Sequence, residues 1–97
     1  MPYNDAISMH LSKLWTTIKA DLERARNTLP NEAANHEAIK EYEDFLSHNE
    51  LELGCDMLET YGENHAVGKE FWLAMRDAAA GMELRERASR YERYARL

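Results

Sequence analysis

Apolar residues return at three- and four-residue spacing along most of this chain, with polar residues filling the other side of each helical wheel. Ile7, Leu11, Leu14, Ile18, Leu22 and Ala25 form the first such stripe, and Trp15 widens it. Asn4 or Asp5 can cap free backbone N–H groups, so a first helix is predicted to start there. Pro30 disfavours helical backbone at Leu29, which predicts a stop near Asn27 or Thr28.

A second helix is predicted from about Asn31–Asn35 to Ser47, with Ala38, Ile39, Tyr42, Phe45 and Leu46 on one face. Asn49 opens a third, because its side chain can cap and Glu52 holds the capping-box position. That helix turns Leu51, Gly54, Cys55, Leu58 and Tyr61 inward and is expected to stop at Gly62, a left-handed C-terminal residue. Residues 62–68 then read as a loop. A fourth helix begins near Lys69 with Phe71, Trp72, Met75, Ala78, Ala79 and Met82 on its apolar face. Gly81 weakens it by roughly 1 kcal/mol without necessarily ending it. Residues 84–97, rich in Arg and Tyr, either extend this helix or form a short separate one. The expected fold is all-α, a compact bundle of four to five antiparallel helices in a single domain spanning residues 1–97.

Charge adds the most to this picture. Residues 32–63 hold ten acids against one base, Lys40, a net of −9 in a chain of −6, so the remainder sums to +3. On the second helix Glu37, Glu41 and Asp44 fall at i, i+4 and i+7. Glu52, Asp56, Glu59 and Glu63 make a similar stripe on the third, about 130° around from the Leu51–Leu58 face. Both stripes are expected to face solvent. A folded surface of one sign repels nucleic acid and attracts a basic partner. These seven acids are therefore the candidate partner-binding residues. Leu53 and Met57 point away from both the inner face and the acid stripe: either the third helix packs on two sides, or an apolar patch borders the acids.

The C-terminal stretch from Glu83 has a net charge of +2, with Tyr91 and Tyr94 between its arginines. Arginine beside aromatics can bind nucleic acid. Here Glu83–Arg87, Glu86–Arg90 and Glu92–Arg96 stand at i, i+4, and a salt-bridged exposed helix accounts for the pattern.

Other chemistry is sparse. His36-Glu37 begins a zinc-protease pattern, but Lys40 stands where its second His belongs. Glu32 with His36, and Asp44 with His48, are ordinary one-turn neighbours. Cys55 is the only cysteine, in acidic surroundings that raise a thiol pKa, and reads as a small core residue in a reducing compartment. There is no glycine-rich phosphate loop, nucleophile elbow or paired-cysteine motif. The expectation is a protein without enzymatic activity, cofactor or metal. With no signal segment or membrane-length apolar run, it is expected to be soluble and cytoplasmic.

One stretch is more specific. Residues 45–59 run Phe-Leu-Ser-His-Asn-Glu-Leu-Glu-Leu-Gly-Cys-Asp-Met-Leu-Glu, followed by a Gly-Glu-Asn loop. Lys69-Glu70-Phe71-Trp72 then leads into Met75 and Ala78-Ala79. This order, from about Ile39 to Leu84, resembles small helical immunity proteins of bacterial polymorphic toxin systems. It resembles especially the Maf-type group and related contact-dependent inhibition immunity proteins; Gly54 departs from the alanine expected there. The resemblance implies a cytoplasmic inhibitor of a cognate toxin C-terminal domain, often a nuclease whose basic surface suits an acidic inhibitor. It supplies no residue-level map of the contact. The rival reading is a nucleic-acid-associated helical regulator acting through the Arg/Tyr-rich C-terminal helix. A homodimer through Trp72, Leu53 or Met57 is compatible with either.

Overall fold

The computed structural model describes the backbone of residues 2–97 and the side chains from Leu11 onward. Among these residues the regular structure is entirely helical: α1 (Pro2–Asn27), α2 (Glu37–Ser47), α3 (Leu51–Asn64), α4 (Lys69–Gly81) and α5 (Arg85–Arg96), with a short 3-10 turn at Asn31–Asn35. The all-α expectation is met, and residues 84–97 form a separate helix. The helix α1 runs from Pro2, ahead of Asn4 and Asp5. The side chains of those two residues, and of Ile7 and His10, lie outside the described ones.

The helices α2–α3 and α4–α5 are hairpins with the same joint. After α2, Asn49 adopts left-handed backbone at φ 58°; after α4, Glu83 does so at φ 60°. In each joint the next residue's N–H reaches back to the third-last carbonyl, Glu50 N to Phe45 O and Leu84 N to Ala79 O, both at 2.9 Å. The left-handed residue itself donates one carbonyl further on, Asn49 N to Leu46 O and Glu83 N to Ala80 O, both at 3.0 Å. This is the Schellman closure, which satisfies carbonyls that a helix end leaves free. Asn49 therefore finishes α2 and does not cap α3, whose first turn has no side-chain cap.

The expected stop at Gly62 is also corrected. The helix α3 runs on to Asn64, and Gly62 is buried with a negative φ. A methyl group at its Cα would stand 2.5 Å from a Phe71 ring carbon and 2.9 Å from Trp72. Glycine is needed there because two α4 rings lie against the α3 backbone, and no turn is involved. Gly81 has a comparable place as the last residue of α4, where a Cβ would come within 2.9 Å of Ile18.

One core gathers Leu22, Ile39, Tyr42, Leu58, Phe71, Met75 and Tyr91, drawn from all five helices. The helix α1 packs mainly on α4 and less on α3. Arg24 joins Asp77 at 2.7 Å, while Ile18 meets Gly81, so α1 and α4 are antiparallel. The α1 stripe is half used. Ile18, Leu22 and Ala25 are buried, Leu14 is partly buried, and Leu11 and Trp15 are exposed.

Candidate functional site

The seven acids proposed from the sequence do not form one surface. On α2, Glu37, Glu41 and Asp44 are exposed and line a shallow groove of about 400 Å³ with Lys40, Phe45 and Met57. Phe45, placed by its spacing on the inner face, is half-buried and supplies part of the groove's apolar lining. Met57 packs partly on the core, and Leu53, one turn before it, remains 43 % exposed. The α2–α3 face thus combines a carboxylate rim with an apolar floor. Glu52 stays exposed in the first turn of α3.

The rest of the α3 stripe is turned to a different use. Asp56 accepts from Arg87 Nη1 at 2.7 Å, Glu59 accepts from Arg90 Nη2 at 2.5 Å and from the Tyr91 hydroxyl, and Glu63 accepts from the Tyr94 hydroxyl at 2.8 Å. The expectation of a solvent-facing stripe therefore fails for Glu59; Asp56 stays partly exposed and Glu63 exposed, but both are bonded to α5. Local pairing on α5 is corrected with it. Arg87 and Arg90 reach α3 instead of Glu83 and Glu86, and of the expected pairs Glu92–Arg96 forms, at 3.7 Å. The Arg87 side chain is only 18 % exposed, and charge-assisted bonds in partial burial outweigh exposed i, i+4 pairs of a few tenths of a kcal/mol.

Beneath these bonds lies a small buried polar cluster. The Tyr91 hydroxyl accepts from Arg87 Nε at 3.0 Å, and Cys55 Sγ is 3.5 Å from Arg87 Nη2 and 3.8 Å from Tyr91 Oη. Burial pushes the Cys55 thiol up to about 11, more than the Arg87 charge pulls it down. Such a thiol is protonated at neutral pH and is no nucleophile. Burial works to raise Glu59 as well, but the hydrogen bonds from Tyr91 and Arg90 hold it below the usual carboxylate range. The cluster fastens α5 to α3.

His36, His48 and His65 have structural partners. His36 Nδ1 accepts from Ala38 N–H at 3.1 Å and so caps α2, while its ring stands edge-on to Tyr61 and His65. His65 stacks on Tyr61 at 3.9 Å. His48 bonds the Asp44 carbonyl at 2.9 Å, a contact that, with the Asp44 carboxylate, raises its pKa. Among the described residues no three His, Cys, Asp or Glu side chains converge as a metal site.

A larger open depression of about 990 Å³ lies between the end of α3, the start of α4 and the end of α5. Its lining mixes His65, Lys69 and Arg96 with Glu63, whose carboxylate already serves Tyr94. Trp72 is buried under Tyr94, so it cannot serve as the dimer contact considered from sequence. No described helix is long and apolar enough to cross a membrane. Neither a family model nor a curated protein or solved structure matches this chain.

Proposed function

We propose that this chain is a non-catalytic binding protein whose α2–α3 face engages a basic protein surface, as an immunity protein engages its toxin. The observation that carries the reading is the α2–α3 groove. Three carboxylates there have only Lys40 among them, and Phe45 and Met57 provide apolar area beside the charge. Charge of one sign speeds encounter with a basic partner, and a neighbouring apolar contact slows its release. A toxin nuclease domain fits because it needs a basic surface to hold phosphates. The contact set is Glu37, Glu41 and Asp44, with Glu52 and Leu53 at its edge.

The nucleic-acid reading has less support, because on α5 it keeps only Arg85, Arg93 and Arg96 as exposed arginines. Arg87 and Arg90 are bound by carboxylates, Tyr91 is buried, and Tyr94 is bonded to Glu63.

The test is co-expression with the polypeptide encoded beside this chain, using C-terminal fragments that are lethal alone. Rescue, a one-to-one complex and an association rate that falls with added salt are the expected results. A lethal fragment that neither binds nor is neutralised would overturn the toxin reading. Salt-independent association would remove the steering role of the acids.

A further inference from the structure

The depression where α3 ends, α4 begins and α5 ends is built from fixed parts. Buried Gly62 lets the Trp72 ring lie against the α3 backbone, and Tyr94 stands edge-on to Trp72 at 4.6 Å. Glu63 Oε2 accepts from the Tyr94 hydroxyl at 2.8 Å, which sets the tyrosine ring. His65, also in the lining, stacks on Tyr61, and its Nδ1 donates to the Tyr61 carbonyl at 2.9 Å. The volume of about 990 Å³ matches the upper end of the range for small-molecule sites, which are largely preformed.

Its charge runs against that of the chain. Lys69 and Arg96 stand in the lining against one carboxylate, Glu63, in a protein of net −6. That carboxylate is already engaged by Tyr94. Lys69 is exposed and joins no ion pair among the described residues. Arg96 meets Glu92 alone, at 3.7 Å in an exposed one-turn pair, which is a weak tie. Lys69 also opens α4, where Gly68 supplies no side-chain cap, so the first-turn N–H groups are left for another acceptor.

We infer that this depression binds a phosphate monoester carried on a flat ring. The phosphate lies between Lys69, Arg96 and the start of α4, and the ring lies against Tyr94. A phosphoryl group suits these donors better than a carboxylate does. Its three terminal oxygens take an ammonium, a guanidinium and backbone N–H groups together, and its charge of about −1.5 to −2 at neutral pH strengthens each bond. The ring supplies what inorganic phosphate lacks, contact with Tyr94, Ala66 and Val67. The α2–α3 groove, with three carboxylates around Lys40, would repel the same ligand.

The inference is independent of the acidic-face reading, and its experiment uses the full chain alone. Phenyl phosphate, followed by proton–nitrogen NMR, should bind with a dissociation constant below about 1 mM. The shifts should fall on the Trp72 indole N–H and on the amides of residues 62–72 and 94–97. Benzyl alcohol, a neutral counterpart, and inorganic phosphate should each bind about tenfold more weakly or worse. Lys69→Ala and Arg96→Ala, both at exposed positions, should each weaken phenyl phosphate about threefold or more, and further together, with the melting temperature unchanged. Lys40→Ala, on the α2–α3 face, should leave the affinity as it is. Absence of shifts up to about 20 mM phenyl phosphate would overturn the inference. So would benzyl alcohol or inorganic phosphate binding as tightly as phenyl phosphate, or a double variant that keeps wild-type affinity.

Discussion

Gly54 and Gly62 both lie on the buried side of α3, yet they answer to different constraints. A Cβ at Gly54 would meet a terminal methyl of Leu46 at 3.3 Å and Tyr42 at 3.5 Å, contacts that a small shift relieves. Gly54→Ala should therefore be neutral or stabilise by up to about 1 kcal/mol, through lower backbone entropy in the unfolded chain. At Gly62 the same change drives a methyl into two packed rings. Overpacking of about 1–3 kcal/mol should cancel or exceed the helix gain, and urea melts of the two variants should separate in that order. Glu83 is a third informative position. It holds left-handed backbone that costs a side-chain-bearing residue about 1–2 kcal/mol, so Glu83→Gly should raise the urea midpoint. An unchanged or lower midpoint would mean that the Glu83 side chain contributes more than its backbone costs.

At the scale of elements, α5 packs mainly on α4 and is tied to α3 through polar side chains, and that tie should appear as a response to acid. Glu59 has a folded-state pKa below its unfolded value, so its contribution is present above the unfolded pKa and disappears as pH falls through the folded one. Glu59→Gln should cost about 1–3 kcal/mol at neutral pH, with the gap to wild type shrinking below about pH 4. Denaturant melts at neutral and acid pH measure both ends; a gap independent of pH would remove the ion pair from the account. The helices themselves were legible from periodicity, because Leu22, Tyr42, Leu58 and Phe71 each mark a stripe that is buried. Their ends were less so. Reading Asn49 as a cap and Gly62 as a stop applied local preferences that packing and the Schellman joints override. The α5–α3 docking left a trace that pattern alone could have shown. Arg87, Arg90 and Tyr94 repeat the spacing of Asp56, Glu59 and Glu63 at a constant offset of 31 residues, the register of two parallel helices. Periodicity within one helix carries no information about a partner helix, so local i, i+4 pairs were the natural assignment.

For the whole molecule, the distribution of acid matters more than its total. Part of the −9 in residues 32–63 is neutralised internally by α5, and what remains for a partner is concentrated around the α2–α3 groove. Two charge-reversal sets should therefore behave differently. Glu37→Lys/Glu41→Lys/Asp44→Lys should preserve helicity and melting while weakening partner association at least tenfold, roughly 1.4 kcal/mol or more. Asp56→Lys/Glu59→Lys should lower thermal stability before any binding effect can be read, because each lysine faces an arginine across the α3–α5 contact. Equal stability in both sets would contradict the division of the acidic surface drawn here.

Cys55, sealed beneath Arg87 and Tyr91, gives the molecule an internal clock. Its protonated, covered thiol is closed to alkylating reagents while α5 is docked, so labelling at neutral pH must wait for α5 to lift. With rapid reclosing, the labelling rate divided by that of a free thiol is the opening equilibrium constant of this one helix. Glu59→Gln should speed labelling about tenfold or more, and a mass spectrometer can follow it through the mass that alkylation adds.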